Sequence, residues 1–119
     1  MLITYNMHPI PLKLREELAN SGEMEVCIYN NNECNGRVEW EHAWAYAGKQ
    51  IQERWAIIPC CYYHHRGGGL DKEFNHFKSL IKAITIFGSL IPVIKEYPRK
   101  NWLQEFNYLI NKYDNNIRN

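Results

Sequence analysis

Residues 41–65 read EHAWAYAGKQIQERWAIIPCCYYHH, and this stretch decides the fold. It opens on an acid beside a histidine, Glu41-His42, and closes on Cys60-Cys61-Tyr62-Tyr63-His64-His65. Two more cysteines, Cys27 and Cys34, lie just upstream. Cysteine and histidine gathered at both ends of a short segment are metal-ligand chemistry. Immediately before Glu41, Arg37-Val38-Glu39-Trp40-Glu41 alternates polar and apolar residues and predicts a strand that ends on Glu41-His42. Ala56-Ile57-Ile58 predicts a second short strand, stopped by Pro59. A short helix is expected from Tyr62, terminated by Gly67-Gly68-Gly69.

Outward from this centre, Pro11 fits the start of a helix whose sequence LKLREELANS ends at Gly22. Glu25 to Tyr29 is expected to form a strand that delivers Cys27. Asn30 to Glu33 reads as a loop. Cys34-Asn35-Gly36 reads as a tight turn whose backbone amides can point at a thiolate. Ala47-Gly48 offers another turn, and Gln50 to Trp55 a helical turn. Asp71 is a suitable N-cap for a helix with Phe74, Phe77, Leu80, Ile81, Ile84 and Phe87 on one face. Ser89 to Glu96 is a shorter helical candidate broken by Tyr97-Pro98. Asn101, with Gln104 three residues on, caps a last helix whose apolar stripe is Trp102, Phe106, Leu109, Ile110 and Tyr113. Residues 1–10 are expected to be extended or irregular, and the tail after Asp114 polar and frayed.

The chain of 119 residues is 45% apolar and 13% aromatic, which suits one folded unit. So small a core gains from a structural metal. The formal charge of +1 argues against a broad nucleic-acid footprint, though not against a local basic face. The apolar segment from Ile81 to Ile94 is interrupted by Lys82, Gly88, Ser89 and Pro92, so no membrane span is expected. With no signal peptide read at the N-terminus, the expected compartment is cytoplasmic, where four cysteines are metal ligands sooner than disulfides.

A structural zinc site takes four thiolate or imidazole ligands. Cys61-x-x-His64 has suitable spacing for one half. Cys27 and Cys34, with six residues between them, are wider than usual but closable by the Asn-rich loop. Cys60 competes with Cys61, and Cys61 is preferred because Cys60 then alternates into the core. The competing reading is ordinary buried thiols. Zinc is favoured over it, since two compatible clusters flank a domain that needs a staple.

A second group has different chemistry. Hydrolysis of a phosphodiester needs an activated water, a cation on the phosphate and help for the leaving oxygen. His42 can serve as base, and Glu41 with His65 can hold a divalent cation. Taken singly, each is better explained otherwise: His42 as a solvated or core histidine, Glu41 as a surface acid, and His65 as an ordinary helical residue. Lys49, Arg54 and Arg66 are placed to meet phosphates, or equally to be solvated charge. His76, on the following helix, is read as a partly exposed histidine sooner than a further ligand. Trp40, Trp44, Tyr46, Trp55, Tyr62 and Tyr63 are expected mostly in the core.

The order of these parts is Cys-x(n)-Cys, strand–acid–His, a spacer, then Ile-Ile-Pro-x-Cys-x-x-His-His. It resembles the HNH endonuclease family, the ββα-metal nucleases, over Cys27 to His65, roughly a third of the chain. The likeness is to compact phage-type members with a structural zinc. It implies a metal-dependent endonuclease acting on DNA, encoded by a phage or other mobile element. His42 falls on the general base, Glu41 and His65 on the ligands of a catalytic Mg²⁺ or Mn²⁺, and Cys27, Cys34, Cys61 and His64 on the zinc ligands. Where the family carries an Asn that orients its base, this chain has Trp55-Ala56. Gln50 and Gln52 are the nearby polar side chains, neither favoured.

The expected architecture is therefore α+β. Residues 1–24 form an N-terminal extension and helix. Residues 25–69 form a zinc-stapled hairpin–helix core of ββα-metal type. Residues 70–119 supply two or three supporting helices, whose apolar Ile84 to Ile94 segment suits a homo-oligomer contact. The alternative function is a non-catalytic zinc-stabilised module that binds nucleic acid or protein.

Overall fold

The computed structural model describes residues 10–114. Residues 1–9 and the tail from Asn115, both assigned an expectation above, lie outside them. The fold is α+β, and the described residues form five α-helices and two small antiparallel sheets. Helix α1 (Leu12–Ser21) follows Pro11 and ends at Gly22, whose φ of 75° is the left-handed conformation that a helix C-terminus favours. Its buried Leu18 packs with Met24 and Ile57.

Strand β1 (Val38–His42) pairs with β4 (Ile57–Cys61), with Val38 opposite Cys61 and His42 opposite Ile57. Between them, β2 (Ala45–Tyr46) and β3 (Lys49–Gln50) form a small hairpin. Its turn puts both Ala47 (φ 53°) and Gly48 (φ 82°) in the left-handed region, as a two-residue hairpin turn requires. The expected helical turn over 50–55 is shorter and later, a single 3₁₀ turn at Arg54–Ala56.

The second strand runs through Pro59 instead of stopping there. The Pro59 carbonyl accepts a hydrogen bond from Ile28 N at 2.9 Å, away from β1. In a strand the N and C=O of one residue face the same side, so the proline nitrogen lies off the ladder and no β1–β4 bond is lost. The strand expected at 25–29 is absent: this segment turns and bends. Cys27 and Tyr29 are committed to a side-chain cluster described below, and the backbone curls to bring them there.

Helix α2 (Tyr62–Arg66) follows β4 directly. Helix α3 (Lys72–Phe87) is capped by Asp71, which accepts from Phe74 N at 3.1 Å. Phe77, Leu80 and Ala83 of α3 are buried, while Phe87, at the end of the expected stripe, is 41% exposed. Helix α4 (Ile91–Glu96) buries Val93 and leaves Ile91 exposed. Helix α5 (Trp102–Tyr113) is capped by Asn101, which accepts from Gln104 N at 3.0 Å, and buries Trp102 and Leu109.

One apolar core joins the two expected parts. Trp44, Trp55 and Ile58 from the hairpin region pack with Leu80, Ala83, Val93, Trp102 and Leu109 from the helices. Buried Ser79 fixes their register, donating to Trp55 O (2.8 Å) and accepting from Trp44 Nε1 (3.1 Å). Both buried polar groups are thereby satisfied. Among the described residues, no helix is long and apolar enough to cross a membrane.

Candidate metal centre and cleft

Cys27, Cys34, Cys61 and His64 converge, their ligand atoms all within 4.8 Å of one another. His64 Nδ1 lies 3.7 Å from the sulfurs of Cys27 and Cys34 and 3.2 Å from that of Cys61. Zinc bonded tetrahedrally to sulfur and nitrogen would set these separations near about 3.6 Å. Three soft thiolate donors and one imidazole suit a metal such as zinc, and all four cysteines are free. Cys60, the competitor, points elsewhere and is wholly buried.

Local structure builds this centre. Cys61 ends β4 and His64 lies one turn into α2, so both face the same point. Gly36 has φ 88°, and a Cβ there would come within 2.6 Å of Tyr62 Cβ, so the turn after Cys34 can lie against α2 only with glycine. That turn is tied down by Tyr63 N, which donates to Asn35 O at 3.0 Å. Asn35 N approaches the Cys61 sulfur at 3.4 Å. Burial opposes a thiolate at Cys61, but amide hydrogen bonds from His64 and Asn35 outweigh it and bring the thiol down to about 6. His64 is 2% exposed, and the ring of Tyr29 stacks on it at 3.9 Å with a 6° interplanar angle.

On the other side of β1 and α2 lies an open cleft of about 930 Å³. Its walls include Glu41, His42, His65, Arg66, Lys72, Asn75, His76 and Lys100. His65 Nε2 stands 3.7 Å from Glu41 Oε1. The other ring nitrogen, Nδ1, is held by Glu39 Oε1 at 2.7 Å. Glu39 also takes two hydrogen bonds from Arg66, at 2.9 and 2.6 Å. Arg66 first, and His65 second, hold the Glu39 carboxyl down to about 2. A carboxylate that fixes one imidazole nitrogen and aims the other at a cation position is the usual outer support of a metal ligand.

Glu41 is in a different state. Burial pushes its carboxyl up, opposed by the neighbouring His65, Cys60, Lys72 and Asn75. Cys60 itself is raised by burial and by Glu41. Asn75 Nδ2 donates to Glu41 Oε1 at 3.4 Å. His42 Nε2 lies 2.8 Å from Gln52 Oε1. An amide oxygen only accepts, so this contact puts the histidine proton on Nε2 and leaves Nδ1 with a free lone pair.

Of the expected phosphate contacts, only Arg66 lines the cleft. Lys49 is exposed on β3 and is not among the lining residues. Arg54 is turned away and paired with Glu23 at 2.8 Å. The end of α1 brings that carboxylate to it, and Lys82 joins the pair at 3.0 Å from Glu23. Lys72 and Lys100 line the cleft instead. His76 also lines it and is less free than expected, because its ring stacks on Trp44 at 3.8 Å. Tyr62, expected in the core, is 48% exposed.

Glu39 and Asn75 do not stand out as site residues in the sequence, and of the two polar candidates Gln50 and Gln52 it is Gln52 that meets His42. Glu39 carried one usable signal, since residues two apart on a strand share a face and Glu39 therefore sits beside Glu41. Asn75 carried none, being on a helix far along the chain. Comparison with known proteins matched no family model, no curated protein and no solved structure, so the candidate site is read from its own geometry.

Proposed function

We propose that the chain is a metal-dependent endonuclease with an HNH-like ββα-metal core, hydrolysing phosphodiester bonds of DNA. The observation that carries this reading is the meeting of Glu41 and His65 across an open cleft that His42 also lines, with the His42 ring held by Gln52. In this reading β1, β4 and α2 are the hairpin and helix of the core, and Cys27, Cys34, Cys61 and His64 hold a structural zinc.

Glu41 and His65 would hold one Mg²⁺ or Mn²⁺. That cation supplies charge stabilisation to the scissile phosphate and the leaving oxygen. His42 Nδ1 takes a proton from water, whose oxygen attacks phosphorus as the ester P–O bond breaks and the leaving oxygen gains a proton from solvent. Gln52 Oε1 accepts the Nε2–H throughout and steadies the imidazolium once it forms. Gln52 thus does the work of the family's orienting Asn, from a position just before the 3₁₀ turn. Arg66, Lys72 and Lys100 bring positive charge to the cleft beside Glu41, tempered by the pairing of Arg66 with Glu39 and of Lys100 with Glu105 at 3.6 Å, a local attraction for phosphates that the net charge conceals.

Purified protein with added Mg²⁺ or Mn²⁺ is expected to cleave plasmid or single-stranded DNA, and His42→Ala to slow cleavage by about 100-fold or more. Intact DNA under both metals, or equal cleavage by His42→Ala, would sink the proposal. One observation favours a non-catalytic zinc-stabilised binding module instead: Glu39 already occupies Arg66, which weakens the basic rim. Such a module would carry one zinc and no exchangeable cation at Glu41 and His65.

A further inference from the structure

Asn75 and Tyr29 lie outside the acid–histidine and cysteine–histidine motifs, yet together they span the space between the two candidate metal positions. Asn75 is 2% exposed, so its side-chain amide must find partners inside the protein. Its Oδ1 accepts from the Tyr29 hydroxyl at 2.6 Å, and its Nδ2 donates to Glu41 Oε1 at 3.4 Å. The Tyr29 hydroxyl in turn accepts from Asp71 N at 3.0 Å. Its ring lies flat on the His64 imidazole, 3.9 Å away. The path therefore runs from a ligand of the cysteine–histidine cluster, through Tyr29 and Asn75, to the carboxylate in the cleft.

The direction of the Asn75 amide matters. An amide can turn over and exchange its oxygen and nitrogen. Turned over, it would set Oδ1 against the Glu41 carboxylate, two acceptors facing each other. The Tyr29 hydroxyl prevents this: with the Asp71 amide already donating to it, its own proton goes to Asn75 Oδ1 and holds the nitrogen toward Glu41. The other acceptor within reach of the Tyr29 hydroxyl, the Asp71 carbonyl oxygen, lies farther off at 3.1 Å.

We infer that Asn75 is a positioning residue for Glu41, locked in its working orientation by Tyr29, and that this pair couples the cysteine–histidine centre to cation binding in the cleft. The inference rests on the nuclease reading for the identity of the cleft cation. Its consequence is that loss of the Tyr29 hydroxyl weakens the cleft without emptying the thiolate centre, because Phe keeps the stacked ring. Support of this kind for a metal ligand is worth about 10-fold in affinity.

The test measures Mn²⁺ binding to full-length, zinc-loaded wild type, Tyr29→Phe and Asn75→Ala by the loss of the free Mn²⁺ electron paramagnetic resonance signal, beside zinc content and melting temperature. The expected result is one zinc in all three proteins and Mn²⁺ affinity about 10-fold lower in both variants. At saturating Mn²⁺, the cleavage rate of Tyr29→Phe should return toward wild type, separating weakened binding from damaged chemistry. If Tyr29→Phe sheds its zinc, Asn75→Ala, which leaves the His64 stack untouched, decides the matter. Wild-type Mn²⁺ affinity in a zinc-loaded Asn75→Ala protein would overturn the inference while leaving the nuclease reading standing. A wild type that binds no Mn²⁺ would sink the nuclease reading itself, and this inference with it.

Discussion

The cysteine–histidine cluster and the cleft are built on two sides of the same short helix, α2, and they are opposite in character. His64 faces a closed group of three sulfurs, is almost wholly buried, and has its ring covered by Tyr29. His65, the next residue, faces an open cleft, one oxygen of Glu41, and a carboxylate behind it. Soft donors in a closed shell suit a metal that stays and holds the fold. Hard donors in an open shell suit a cation that exchanges and leaves room for substrate. Helix geometry turns two adjacent histidines to two different settings, a closed thiolate cluster and an open cleft, since successive residues on a helix point about 100° apart.

The sharpest way to break this comparison is to remove one metal at a time. Stripping zinc with a strong chelator, or replacing Cys61 with Ser, should unfold the hairpin region, because binding free energy at such sites is of order 10 kcal/mol and is folding free energy. Circular dichroism and thermal melting would register it. His65→Ala should leave the melting transition nearly in place. If both changes unfold the protein equally, the division between the histidines is wrong.

Next in size is the base. His42→Ala should reduce cleavage by about 100-fold or more with zinc content unchanged, in line with the usual contribution of a general base. A smaller loss is expected from Gln52→Leu, about 10-fold in turnover, because His42 remains but its tautomer and orientation are no longer fixed. Steady-state kinetics should show this loss in kcat, and a Gln52→Leu enzyme indistinguishable from wild type would remove Gln52 from the mechanism.

The smallest expected effect lies far from both centres. Glu23 is held down to about 2 from its ordinary 4.5, by Arg54 first and Lys82 next. A carboxyl lowered in the folded state adds stability above its ordinary value and loses it as pH falls toward the folded one. Glu23→Gln should therefore cost about 1–2 kcal/mol near neutrality, and the deficit should shrink between pH 4.5 and 2. Denaturant titrations at several pH values would read it, and cleavage per folded molecule should not change.

Much of this division was legible in the sequence because its determinants are local. Cys61-x-x-His64 on a strand end and a helix turn, the Glu41-His42 strand end, the Asp71 and Asn101 caps and the Gly22 stop all act over a few residues. What was not legible depends on side chains brought together by the tertiary fold. Glu25 to Tyr29 carries a short apolar, β-branched run like a strand, yet Cys27 and Tyr29 serve the cluster and the chain bends. Arg54 looked like a phosphate contact until α1 brought Glu23 against it. Gln52 and Asn75 are ordinary polar residues until the hairpin turn and α3 set them beside His42 and Glu41. Pro59 looked like a strand end because a proline's lost hydrogen bond matters only on the paired side of a ladder.

The central claim is that adjacent histidines serve two different metals. Crystals of the zinc-bearing protein soaked in Mn²⁺, with anomalous diffraction recorded at both the zinc and the manganese absorption edges, test it most directly. The account predicts a zinc peak enclosed by Cys27, Cys34, Cys61 and His64, and a separate manganese peak between Glu41 and His65. A single peak, or manganese bound away from His65, would contradict it.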